Sequence, residues 1–489
     1  VLLDGNGTGV GGGQGRIVAN DSAGVTLGSL GTDTIQFRGS LDASQPNPGE
    51  VVLNGSSTLT IAGQLDLTSE TQVGGNLSVG GSATATIAGA LNCNVTATAS
   101  HDGGTVTISS TGRLSVGGNL TLQGNGTAAT GGRLTVSSTR ASPGALSVTG
   151  STTIQSGTAC GGLLTITTDA LVTFTGTVSI NASTQDGVLD VTDATAPGPT
   201  LNFDGTVNVH GKWIPSAGRS SVVLRGAGAQ TFGGTRTGVS FDALRFECSA
   251  DRTIDFTNAD TIYTVAGEIG SGGTGGTVTI TASSGARTFL CQSTVDFDRP
   301  IVFSTNTTVE FSLAGAQTIA GSAASGPTFL HVSTSGSGAK TMGLGSTTIN
   351  GTLTVGAGTT LTIPSGHVFT LARDKGAFPP DQHPVNGEFR VTAGTAVNGV
   401  TTVKFGDHQQ LVVNSGGSFR TVPFDSYSFV TSRYSLLTRD SVADAYSIHC
   451  KTGSTVDVQF AKFEYLYGRS SANETTEAGI ESALTISTA

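Results

Sequence analysis

Gly104-Thr105-Val106-Thr107-Ile108, Gly132-Arg133-Leu134-Thr135-Val136, Gly162-Leu163-Leu164-Thr165-Ile166 and Gly187-Val188-Leu189-Asp190-Val191 are four versions of one phrase. Each reads Gly, any residue, apolar, polar, apolar, and successive copies begin roughly 25 to 30 residues apart. Strict alternation over so short a run is the pattern of a strand with one face buried. A second alternating segment follows each of the first three, at Gly112-Arg113-Leu114-Ser115-Val116, Gly144-Ala145-Leu146-Ser147-Val148 and Ala170-Leu171-Val172-Thr173-Phe174. A third closes the unit, as Leu120-Thr121-Leu122, Thr152-Thr153-Ile154 and Val178-Ser179-Ile180, after turns marked by Gly118, Gly150 or Gly176. Three short strands per repeat, joined by Gly-marked corners, describe one coil of an all-β, parallel β-solenoid (parallel β-helix) of about 25 to 30 residues per coil. In this reading Val, Leu and Ile stack on their equivalents one coil away, Thr and Ser face water, and Gly supplies positive φ at the corners.

The rhythm extends outward in both directions. Upstream it appears in Val51-Val52-Leu53, Leu59-Thr60-Ile61, Leu65-Asp66-Leu67 and Leu77-Ser78-Val79. Downstream its character changes near residue 201. Val222-Val223-Leu224 followed by Gly228-Ala229-Gln230-Thr231-Phe232 is echoed by Val309-Glu310-Phe311 followed by Gly315-Ala316-Gln317-Thr318-Ile319. The expected sections are a Gly-rich arm or first coils at 1–40, regular solenoid at 41–200, and a second solenoid section with G-A-Q-T repeats at 201–372. A Pro-containing loop or junction follows at 373–400, and an aromatic-rich β section at 401–489. Pro379, Pro380 and Pro384 mark the junction, because Pro cannot donate to a strand ladder.

In these segments the chain resembles the large, β-strand-repeat-rich surface proteins of bacteria, adhesin and autotransporter passenger domains among them. The residues that carry the likeness are the G-A-Q-T-[IF] segments and Asn350 to Leu361, read as N-G-T-L-T-V-G-A-G-T-T-L. It spans residues 50–200 and 220–371. The resemblance implies a right-handed coil and export to the surface, and it implies no chemistry.

Composition narrows the classes further. The chain has 489 residues, 72 of them Gly, with 36% hydrophobic and only 12% charged residues. That apolar fraction, in alternation, is more than a disordered chain carries. No run reaches the roughly 18 apolar residues of a membrane helix, so no membrane insertion is expected. Net charge is −10, and the first 200 residues hold only Arg16, Arg38, Arg113, Arg133 and Arg140 as strong cations, which argues against a nucleic-acid partner. There are six Lys in all, and polar Gly, Ser, Thr and Asn stand where a cytoplasmic enzyme usually carries charge; a secreted or cell-surface location is expected on composition. Cys93, Cys160, Cys248, Cys291 and Cys450 lie far apart without a C-x-x-C pair, so they read as buried small side chains, with a Cys93–Cys160 or Cys248–Cys291 bridge left open.

Candidate chemistry is sparse. Asp296 and Asp298 fall on one face of a strand, with Asp251, Arg252 and Asp255 a coil or two away, and are the nearest approach to a Ca²⁺ or acid–base cluster. Solvated ion pairs explain the same residues, and no resident cofactor is expected. Asp407-His408 and His101-Asp102 are adjacent pairs, which on a strand point to opposite faces and make poor chelates. Trp213 reads as a coil-filling or cap residue. Were the chain a binding module for glycans, Phe378 and His383 in the Pro-containing segment and Tyr465 and Tyr467 in the aromatic section would be its candidate contacts.

The expectation that follows is a non-enzymatic, extracellular structural protein, a subunit or segment of a cell-surface rod or filament that self-associates head to tail through its solenoid ends. Val1, Leu2, Leu3, Leu484 and Ile486 are the candidate assembly residues. A surface adhesin acting through loops is the first alternative, and a β-helix polysaccharide lyase or hydrolase the second.

Overall fold

In the computed structural model the described residues are 2–4, 15–38, 49–69, 74–94, 102–124, 130–139, 144–191, 198–214, 220–321, 326–343, 345–372, 381–394, 399–423, 434–441, 446–459 and 461–464. Among them every regular element is a β-strand, and there is no helix. The chain divides into two compact units: Val1–Arg245 with Asp255–Asp260, and Phe246–Ile254 with Thr261–Ala489.

The first unit is a parallel β-solenoid. Its first sheet runs through Arg16–Ala19, Glu50–Leu53, Asn76–Val79, Thr105–Ser110, Arg133–Ser138, Leu163–Ile166, Val188–Val191 and Lys212–Ile214, each strand paired in parallel with the next. A second sheet runs from Gly24–Leu27 through Arg113–Val116 to Ser221–Leu224, and a third from Leu2–Asp4 through Leu120–Leu122 to Gln230–Gly233. One strand from each sheet makes one coil. The register matches the repeated phrase residue for residue: Val106 lies beside Leu134, Leu134 beside Leu164, and Leu164 beside Leu189, all buried. The polar partners between them, such as Thr107, Thr135 and Thr165, form an outward ladder. Toward the end of this unit the aliphatic stack gives way to rings. Phe174 and Phe203 stack at 5.4 Å, and Trp213 packs 6.0 Å from Phe203, Phe232 and Phe241. Trp213 is buried and donates its indole N–H to Ser240 O at 3.2 Å, so it fills the coil, as its isolation in sequence suggests.

Four of the repeat glycines serve a purpose other than the positive φ expected of them. Gly104, Gly132, Gly162 and Gly187 are absent from the positive-φ set, yet a Cβ on any of them would collide with the backbone carbonyl of Leu67, Cys93, Leu122 or Ile154 in a neighbouring coil. Close backbone approach, and not a left-handed conformation, is what excludes a side chain there.

The second unit is built the same way, again with three parallel sheets. Their strands begin at Ile262–Val265, Ile269–Gly273 and Val278–Thr281 and end at Tyr446–Cys450, Thr455–Val458 and Ala461–Phe463. Its core is richer in rings, with Phe303 stacked on Phe329 at 5.6 Å, Phe389 on Phe419 at 6.1 Å and Phe405 on Tyr446 at 4.2 Å.

The structure departs from sequence expectation in the Pro-containing segment. The described part of 373–400 is not a loop thrown off the coils: Asp381–Val385 and Glu388–Thr392 are strands, paired in register with Gln409–Val413 and Ser418–Val422. Pro384 occupies an outward, half-buried position between buried His383 and Val385. The strand tolerates it because the partner Leu353–Val355 meets this strand at only one registered pair, so few ladder bonds are forfeited.

Candidate functional site

The sequence candidates do not converge. Asp296 sits outward on Val295–Phe297, and its register neighbours are Gly270 and Ala320, neither of which can add a carboxylate. Asp298 is exposed in the following corner, where its N–H donates to Ser271 O. Arg299 beside it donates through Nε to Gly273 O at 3.0 Å, so its guanidinium ties two coils together. Asp251 is likewise structural, its carboxylate accepting the N–H of Thr277 at 2.8 Å. Arg252 is buried and donates Nη1–H to Glu247 O at 2.9 Å. Among the described residues no three His, Cys, Asp or Glu side chains come together as a metal site would require.

His383, expected at an exposed contact, is completely buried. Alternation on Asp381–Val385 turns it inward with Asp381 and Val385, and burial pushes its imidazole pKa down from 6.5 to about 4. His367, which sequence did not single out, shares this fate: it is buried, contacts Thr347 Oγ1 at 3.1 Å through Nε2, and burial alone lowers it to about 4. Asp407 and His408 pair with each other at 2.7 Å in a corner where His408 has φ 54°. Phe378, Tyr465 and Tyr467 lie outside the described residues.

The G-A-Q-T echo has a definite role. Gln230 is buried, and its Nε2 donates to Phe203 O at 2.9 Å and Gly205 O at 2.5 Å in the preceding coil. Gln317 repeats the arrangement with Cys291 O at 3.1 Å and Ser293 O at 2.7 Å. In both cases the amide caps the carbonyl that ends a strand and another in the corner after it. A third copy of the motif, Gly338-Ala339-Lys340-Thr341, lies one coil on, with Lys340 in register over Gln317. The Lys340 ammonium is buried and donates to Leu313 O, to Gly315 O at 3.1 Å and to Ser337 O at 3.1 Å; burial lowers its pKa. The recurring G-A-x-T frame was the signal for this third copy, hidden by the exchange of Gln for Lys.

No disulfide joins any two of the five cysteines, so neither bridge left open by the sequence forms. Cys93, Cys248 and Cys291 are buried, Cys93 between Leu67 and Leu122 in its ladder, and burial raises all three thiols.

What the geometry does single out is the first and last described coils. In the first unit, Arg16–Ala19 and Gly24–Leu27 pair on one side only among the described residues. Ile17, Val25 and Leu27, which occupy core positions, are half-exposed, whereas Val51, Leu59 and Ile61 in the next coil are buried. Leu2 and Leu3 lie on a strand in register with Gln36 and Phe37 of the third sheet. In the second unit the last described coil repeats the pattern: Ile448, Val456, Val458 and Phe463 are half-exposed, each on a strand that pairs on one side only among the described residues. Val1, Leu484 and Ile486 lie outside the described residues. No family model, curated protein or solved structure matches the chain, and the fold assignment stands on the strand register.

Proposed function

We propose that this protein is a structural, repeat-built element of an extracellular or cell-surface filament, joining like coils through the strand edges of its first and last described coils. The observation that carries the reading is the coincidence of two features at each of these coils: strands that pair on one side only among the described residues, and apolar core positions left half-exposed on them. An edge of that kind is a template for another strand, and its apolar face is covered only when a further coil stacks on it. A contact between two different edges is heterologous, and stacking one coil on the next without a closing rotation yields a filament. The low charge content and the resemblance to repeat-rich bacterial surface proteins support a location outside the cell.

The test is sedimentation and electron microscopy of the chain over a wide concentration range, with Val456→Lys alongside. Linear oligomers that lengthen with concentration are expected from the natural sequence, and a lysine on the inner face of the last coil should block them. A chain that stays monomeric throughout, or one whose oligomers are indifferent to Val456→Lys, overturns the reading.

A further inference from the structure

In the second unit the strand Asp381–Val385 is joined to its neighbours by a side chain as well as by backbone. Five of its residues pair with Gln409–Val413 on one side, but on the other only Val355 and Val385 are in register. Where that ladder lapses, the N–H of Leu353 donates to Nδ1 of His383 at 3.0 Å. Across the ring, Nε2–H donates to Gln409 Oε1 at 2.6 Å, and Gln409 in turn donates through Nε2 to Asp407 O at 3.3 Å. These two bonds define the neutral tautomer with its proton on Nε2. The imidazole is thereby an acceptor toward one coil and a donor toward the next, with no exposure to water.

We propose that His383 is an acid-operated latch, whose protonation at Nδ1 releases Leu353 and opens the seam between Leu353–Val355 and Asp381–Val385. The proton comes from solvent and takes the Nδ1 lone pair that accepts from Leu353. Two N–H groups then face each other across the seam, and the imidazolium is left in an apolar interior. The surroundings offer one opposing charge. Asp381, two residues back on the same inner face, favours the cation, but its influence is smaller than that of burial. Neither Leu353–Val355 nor Gln409–Val413 contributes a titratable group, the side chain of Gln409 being a neutral amide. Asp407 and His408 pair with each other in the corner before Gln409. Glu388 and Arg390, on the next strand of the coil, pair at 2.6 Å on the outward face. Once the seam is open the imidazole regains its ordinary pKa of 6.5, against about 4 when closed, so opening is favoured progressively as pH falls through that window.

Hydrogen exchange of the full chain, read over residues 350–356, 381–386 and 409–414 and corrected for intrinsic rates, tests this. The opening constant at the Leu353 amide should rise on the order of a hundredfold between pH 7 and pH 4. His383→Asn, which retains an acceptor toward Leu353 and does not titrate, should abolish the rise. A Leu353 amide indifferent to pH, or a rise that persists in His383→Asn, overturns the proposal. Should that variant fail to fold, imidazole NMR on the natural chain decides. The ring should remain the neutral Nε2–H tautomer at pH 6 and take up its proton together with the loss of Leu353 protection; protonation near 6.5 with Leu353 still protected overturns it.

Discussion

Lys340 shows how a single residue is fixed by the coil before it. A buried ammonium is costly when no carboxylate stands beside it among the described residues, and here three carbonyl dipoles, from Leu313, Gly315 and Ser337, take the place of water. Gln317 does the neutral version of the same work directly beneath it. Replacing Lys340 by Met should therefore leave buried carbonyls unpaired and cost about 2 kcal/mol. Lys340→Gln, which restores an amide donor of the kind already present one coil away, should cost less than half of that. Urea unfolding midpoints of the two variants give the comparison. Equal losses would mean that volume, and not the donor, is what the site requires. The Gln and Lys side chains could not be ranked from sequence, because all their carbonyl partners but Ser337 lie in the preceding coil some 25 residues back and nothing in the linear pattern names a carbonyl.

At the scale of the element, the corner between the second and third strands of successive coils in the first unit, at Gly89, Gly118, Gly150, Gly176 and Gly205, is a stack of glycines. A Cβ on Gly118 would lie 2.6 Å from the carbonyl carbon of Gly89, one on Gly150 would lie 2.5 Å from Gly118, and one on Gly176 would lie 2.5 Å from Gly150. Backbone touches backbone along this stack, and a methyl group has no flexible neighbour to push aside. Gly150→Ala should cost about 1 to 3 kcal/mol, as inserted volume does in a tight interior. Ser156→Ala, at a half-buried position away from that stack, should move the unfolding midpoint little. A second set of glycines, Gly104, Gly132, Gly162 and Gly187 at the head of the repeated phrase, explains why the first unit was legible in its sequence. The phrase Gly, any residue, apolar, polar, apolar recurs from coil to coil, and stacking forces the copies into register, so Val106, Leu134, Leu164 and Leu189 are equivalent in sequence and aligned in space. The strand Asp381–Val385 was not legible. Asp, His and Pro in five residues read as turn chemistry, and only the coil after it, which supplies Gln409 to His383, makes that composition compatible with a buried strand. The acidic candidates failed for a related reason. Alternation correctly turns Asp296 outward, but convergence depends on which residues the adjacent coils bring into register, and these are Gly270 and Ala320.

For the whole molecule, the placement of buried histidines makes acid act unequally on the two units. His367 and His383 both belong to the second unit, are buried, and have pKa values lowered by burial from 6.5 to about 4. A lowered imidazole pKa means that the unfolded chain binds the proton first. The stabilisation is complete above about pH 6.5 and is lost progressively as pH falls toward 4, by at most about 3 kcal/mol for each ring. In the first unit His210 is the one histidine among the described residues; it is half-buried and contacts Thr235 Oγ1 at 3.0 Å. Solenoid stability is a sum of coil and nearest-neighbour contributions, so a loss confined to a few coils need not spread to those distant in sequence. Proteolysis between pH 7 and pH 4 with an acid-tolerant protease, its cleavage sites mapped by mass spectrometry, should therefore cut first within 345–413 and leave 49–191 protected. Simultaneous loss of both regions would show that the coils unfold as one cooperative body, and that the cost of charging His367 and His383 is shared along the entire chain. With the loss confined to 345–413, a filament built from these coils should weaken on acidification from within the second unit, because the strand edges at its last described coil carry no buried imidazole, His449 being only half-buried.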